Sequence, residues 1–183
     1  MGAVVLDGWR SEEEDRRPSR RTWYGAAPAW QLYLERNLWL EHSGHVRREQ
    51  GIGLTWRDNG GWLAYHHDGL WVPGRRDPVP VTVAFFETPP YPCFGLKPED
   101  YPRVWADCGA ASKHRMADDA LCLYFPRSAH EQRWTAEEGL LALLNLVRDH
   151  LFFEDHWRRT GGGHRGIWLG NEAPHGFPTR RAS

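Results

Sequence analysis

The sequence predicts an α+β fold in which helices are segregated from an antiparallel meander. Three observations lead there. Short apolar runs with β-branched and aromatic residues alternate between residues 51 and 106, separated by turn signals. A proline-rich stretch, TPPYPC at 88–93, then stops the strand pattern, because proline lacks an N–H and fixes φ. Finally, leucines three and four residues apart after residue 135 mark a long amphipathic helix.

The elements follow in order. Residues 1–22, with the run SEEEDRRPSRR, are charged and read as a flexible lead-in. Residues 23–183 read as a single domain that ends in a loop extension from about residue 160. Pro28 suits a first helical turn, Trp30, Leu34 and Leu38 share a face, and the HSG at 42–44 suits a stop. In GIGLTW, Ile52, Leu54 and Trp56 alternate with smaller residues, DNGG at 58–61 is a turn, and WLAYHH resumes the extended pattern. VPVTVAFF supplies the third strand and RVWA (Arg103 to Ala106) a short fourth. Residues 107–125 look irregular and end in the apolar run ALCLYF. Thr135 and Glu138 have capping-box spacing, so the second helix is expected to start there. Leu140, Leu144, Val147 and Leu151 line its apolar face as far as about His156. TGGG ends it, and GIWLGNEAPHGFP is expected to pack back on the body.

Composition removes several classes of function. The chain has 183 residues, 40% hydrophobic and 26% charged, with a net charge of -1, so neither nucleic acid nor an anionic membrane is the expected partner. Only Lys97 and Lys113 are lysines. Three cysteines, Cys93, Cys108 and Cys122, form no short pairing motif, which favours a reducing compartment. With no signal-peptide core and no long apolar run, the expected location is the cytoplasm. The eleven tryptophans sit in no repeated unit and are expected to supply core surface.

The stretch HRMADDALCLYFP, His114 to Pro126, carries the chemistry. Taken alone, Cys122 fits a small buried strand residue. Its context of an upstream proline loop and a downstream capped helix favours a nucleophile instead. Cys93 and Cys108 lack that context and read as structural.

The element order and these motifs resemble those of ubiquitin-conjugating (E2) enzymes. VPVTVAFF runs into TPPYP, with Tyr91 in the turn; LCL at 121–123 surrounds a cysteine; and Trp134 and a helix follow. More narrowly, HRMADDALCLYFP, the leucine-rich helix, HW…TGG and EAPHG resemble bacterial E2-like proteins of anti-phage operons, nearest those of type II CBASS. The resemblance covers roughly residues 25–157 and implies an E2/UBC-like fold: an N-terminal helix, a four-stranded antiparallel meander, a catalytic-cysteine loop and C-terminal helices. It differs in two places. His114 occupies the position, eight residues before the cysteine, where typical members keep asparagine, and Trp134 lies twelve residues after Cys122, beyond a longer loop.

The resemblance implies a thioester-forming transferase with Cys122 as the acyl carrier. A thiolate is strongly nucleophilic and also leaves well, as transfer to an amine requires. His114 can donate to the developing oxyanion or brace the loop, and the sequence does not choose between these roles. Asp118 and Asp119 can orient an amine or raise the thiol pKa, but turn formation is their commoner use. Tyr124 can share a face with Cys122 and pack in the core. No cofactor is expected, because ATP is used by a separate E1-like activating protein. The implied acyl donor is the C-terminus of a cGAS-like nucleotidyltransferase or of a ubiquitin-like protein. Other readings remain open: a non-catalytic adaptor that keeps the fold for binding, and a cysteine hydrolase using Cys122. A zinc site is not expected, because the histidines lack ligand spacing.

Overall fold

The central strands are buried through consecutive residues, Leu63–Tyr65 and Val81–Phe85, and their larger apolar side chains share the face that forms the core. The computed structural model describes residues 30, 31, 33–36, 54–58 and 61–170. The charged lead-in, the helix boundaries expected at Pro28 and HSG, and the chain after residue 170 lie outside the described residues. Strands β1 (Leu54–Asp58), β2 (Trp62–Leu70), β3 (Val79–Phe86) and β4 (Arg103–Ala106) pair antiparallel in sequence order. The pairings Tyr65 with Val83 and Val83 with Val104 place these three residues on one face, because partners across a ladder point the same way. All three are buried. Between His67 and Leu70 the register shifts, and Gly69 allows this bulge to pass Pro78, since a Cβ there would lie 2.9 Å from the proline ring.

Helix α1 (Leu140–Arg159) covers the core face. Leu140, Leu143, Leu144, Val147 and Leu151 are buried at the spacing the sequence pattern requires. Each of these side chains contributes about 1.5–3 kcal/mol relative to exposure. The helical residues 30, 31 and 33–36 join the same core. Trp30 meets Phe85 edge to face at 5.6 Å, Leu34 is fully buried, and the Tyr65 hydroxyl donates to buried Glu35 at 2.7 Å.

Two expectations need correction. The Thr135–Glu138 capping box is present, but it closes a single 3-10 turn, Ala136–Glu138, and not the α-helix. Gly139 interrupts with φ of 88°, a left-handed conformation open to glycine, and α1 starts after it. The helix also continues to Arg159, past the expected end near His156.

After α1 the chain reverses tightly. The N–H of Gly162 donates to the Trp157 carbonyl at 2.9 Å, and the N–H of Ile167 to the Thr160 hydroxyl at 2.8 Å. Gly166 presses on Trp157 so closely that a Cβ would fall 2.3 Å from the indole. The returning segment lays Trp168 on α1, with its ring 5.8 Å from Phe153 and 5.2 Å from His150.

Candidate functional site

The segment containing Cys122 is a small hairpin. Arg115 and Leu121 form a bridge, the N–H of Met116 donates to the Ala120 carbonyl at 2.8 Å, and that of Cys122 to the His114 carbonyl at 3.0 Å. In that register His114 and Cys122 are directly opposed. Their eight-residue separation is therefore a pairing distance across a turn. The turn depends on Asp119, whose φ of 64° an aspartate tolerates better than most residues. A further bond, from the Leu121 N–H to the Val104 carbonyl at 2.8 Å, anchors the hairpin to β4.

The two aspartates are occupied within this loop. The Asp118 carboxylate lies 3.1 Å from the Arg103 Nε as an ion pair and accepts from the N–H of Ala120 at 3.3 Å. Its carbonyl accepts from the Trp105 indole N–H at 3.1 Å. The Asp119 carboxylate accepts from the N–H of Gly109 at 2.6 Å. Cys122 itself is half-buried and carries a free thiol. Burial pushes that thiol up from its ordinary value, and the Arg103 guanidinium opposes the shift. Burial and not carboxylate repulsion thus sets the direction.

Arg103 organises the space between the proline loop and the hairpin. Its guanidinium lies 3.7 Å over the Tyr91 ring and 5.6 Å from that of Tyr101, and it also contacts the Met116 sulfur. The Tyr91 hydroxyl donates to the Tyr101 carbonyl at 2.9 Å, so Tyr91 ties the proline loop to the segment that leads into β4. Tyr124 makes the next tie, donating to the Asp100 carbonyl at 2.7 Å. Trp134 is placed differently. It is 2% exposed, donates to the Gly139 carbonyl at 3.0 Å and packs on Phe85, as a core residue does.

Behind the hairpin is an ionic cluster that the sequence did not suggest. Glu154 of α1 is fully buried and receives both arms of the Arg115 guanidinium at 2.9 Å. The His150 Nε2 lies 3.3 Å from the same carboxylate. Burial would raise the Glu154 carboxyl, but the adjacent His150 and the hydrogen-bonded Arg115 guanidinium outweigh it and bring the pKa down to about 2. Next to it, Arg75 bridges Asp155 at 2.7 Å and Asp107 at 2.9 Å, and Arg158 pairs with Asp155 at 2.6 Å. These pairs fasten residues 107–121 to the last two turns of α1. His114 meets the returning segment, its ring 4.4 Å from that of Trp168.

Sequence reasoning singled out Cys122 and His114 from their motif context, and the hairpin pairs these two residues. That reasoning missed Arg103, Arg115, Glu154 and Trp168, which are linked to the site by contacts between residues far apart in the chain. Among the described residues, no three His, Cys, Asp or Glu side chains cluster as a metal site, and no helix is long and apolar enough to cross a membrane. Comparison with family models, curated proteins and solved structures finds no match to this chain.

The arrangement has a definite chemical character. A thiol raised by burial is mostly protonated near neutral pH. Once ionised it is the stronger nucleophile, and once acylated the slower leaving group.

Proposed function

We propose that this chain is an E2-like acyl carrier and transferase of the E2/UBC-like fold, with Cys122 as the acceptor. The observation that carries the reading is the hairpin register that pairs His114 with half-buried Cys122 across the turn. The Tyr91 loop beside it supports the same reading. In the first step the Cys122 thiol loses its proton to solvent and the sulfur attacks the carbonyl of a donor thioester. The donor sulfur leaves with the bonding pair and is protonated. In the second step an amine attacks the Cys122 thioester, loses a proton, and releases the thiolate. A donor N–H from His114 would stabilise the oxyanion of the second step, transfer to the amine, by roughly 3 kcal/mol.

The donor is the activated C-terminus of a protein, either a cGAS-like nucleotidyltransferase or a ubiquitin-like protein. A separate activating protein supplies it with ATP, in the setting of bacterial anti-phage defence. This assignment follows the motif resemblance.

A partner-free experiment tests the core of the proposal. The full chain is mixed with a glycine-terminated peptide thioester, and its intact mass is followed. The expected result is one peptide adduct, removed by dithiothreitol, unaffected in Cys93→Ala and Cys108→Ala, and lost in Cys122→Ala. An adduct that persists in Cys122→Ala, or that forms no faster than on an unstructured cysteine peptide, overturns the reading.

A further inference from the structure

The chain beyond α1 would be dispensable if it only closed the helix, yet its geometry is aimed at the hairpin. Three independent contacts fix its path. The Thr160 hydroxyl accepts from the N–H of Ile167, Gly166 presses on the Trp157 indole, and Gly170 packs against Phe153, where a Cβ would lie 2.8 Å from the ring. This path sets Trp168 between α1 and the hairpin. On one side it meets His150 and Phe153, and on the other the His114 ring at 4.4 Å with an interplanar angle of 60°. The two residues flanking Trp168 behave differently: Ile167 is 57% exposed and Leu169 48% exposed. Only the middle side chain of the three is directed at the loop.

We propose that Trp168 is a positioning residue for the reaction at Cys122, acting by holding in one orientation the imidazole of His114, the residue paired with Cys122 across the hairpin. The functional half of this inference rests on the acyl-transfer reading above; the geometric half does not. A tilted aromatic contact restrains a ring whose own backbone is fixed by the ladder to Cys122. Rotation of that ring would turn its N–H away from a developing oxyanion, and small misplacements of a reacting group carry large rate penalties.

The experiment has two arms, both on the full chain. In the first, loading of Cys122 by the peptide thioester and transfer from Cys122 to a free amine are timed separately. Trp168→Ala is expected to slow transfer about tenfold while loading stays within about twofold. Trp168→Phe should restore most of the transfer rate, because it keeps a ring against His114. In a His114→Ala background, Trp168→Ala should then have no further effect. If the two substitutions multiply instead, Trp168 acts independently of His114 and the proposal is overturned.

The second arm reads geometry alone. Assigned His114 ring-proton signals should move in Trp168→Ala, as the ring current of the indole is removed, and the far-ultraviolet spectrum should not change. Unmoved His114 signals would overturn the proposal even if transfer slowed. Absence of any loading in the wild type sinks the acyl-transfer reading and with it the functional half, and the ring signals still decide whether Trp168 holds His114.

Discussion

Helix α1 holds two neighbours by opposite means. Toward the sheet it presents Leu143, Leu144, Val147 and Leu151, all buried among apolar partners. Toward the loop that carries His114 and Cys122 it presents Glu154, Asp155 and Arg158, which pair with Arg115, Arg75 and Asp107. The first contact is non-directional and indifferent to protons. The second depends on orientation and on charge. A loop held this way can keep one fixed geometry without adding to the apolar core, but each of its ties is vulnerable to loss of a single partner.

The largest expected effect breaks the charged side. Arg115→Met leaves the Glu154 carboxylate buried without its bidentate partner, which should cost about 4 kcal/mol. Leu151→Ala on the apolar side should cost about 3 kcal/mol by cavity formation. The distinction lies in where the damage falls. Amide hydrogen exchange should rise chiefly over residues 107–122 in Arg115→Met, and across the sheet and α1 in Leu151→Ala. A uniform rise in both variants would mean that the two sides form one cooperative unit.

Acid sharpens the same contrast. The Glu154 carboxyl is lowered from its ordinary 4.5 to about 2 in the folded state, as the adjacent His150 and the Arg115 guanidinium overcome burial. Asp155 is lowered as well, with burial again opposing and Arg75 and Arg158 prevailing. A depressed folded pKa gives stability that is fully present above the unfolded value. It is lost as pH falls from about 4.5 toward about 2. Urea unfolding midpoints should therefore decline over that interval. Glu154→Gln should start lower at neutral pH and decline less steeply. Equal slopes in the two proteins would show that Glu154 does not drive the acid response.

The contrast also accounts for what the sequence revealed. Apolar periodicity reports contacts that any partner face of the right pattern can satisfy, so β2, β3, β4 and α1 were legible from residues such as Tyr65, Val83 and Leu144. Residues 107–125 read as irregular, so the pairing of His114 with Cys122 was not legible: the hairpin is held by a single bridge and the turn at Asp119, not by a strand pattern. Charge pairs carry no such period. Arg115 and Glu154 are 39 residues apart, and either could have faced solvent. The same holds for Trp168, one tryptophan among eleven, whose contact with His114 depends on a reversal permitted by Gly166. The start of α1 was misplaced for a local reason: a capping box satisfies the same end groups whether a 3-10 turn or an α-helix follows.

That turn supports the smallest prediction, on the apolar side of the comparison. The N–H of Thr135 donates to the Glu138 carboxylate at 3.0 Å, and the N–H of Ala136 to the Asp100 carboxylate at 2.9 Å. Gly139 then turns the chain into α1 while its carbonyl accepts from the Trp134 indole. Thr135→Ala removes one side of the box and should cost about 1 kcal/mol. Gly139→Ala places a Cβ at φ of 88° and should cost at least as much. Because both act at the start of α1, near the core, neither should alter hydrogen exchange in the hairpin or loading of Cys122. Slower loading in Thr135→Ala, at a temperature where the variant is fully folded, would show that the start of α1 and the cysteine hairpin are coupled through the core.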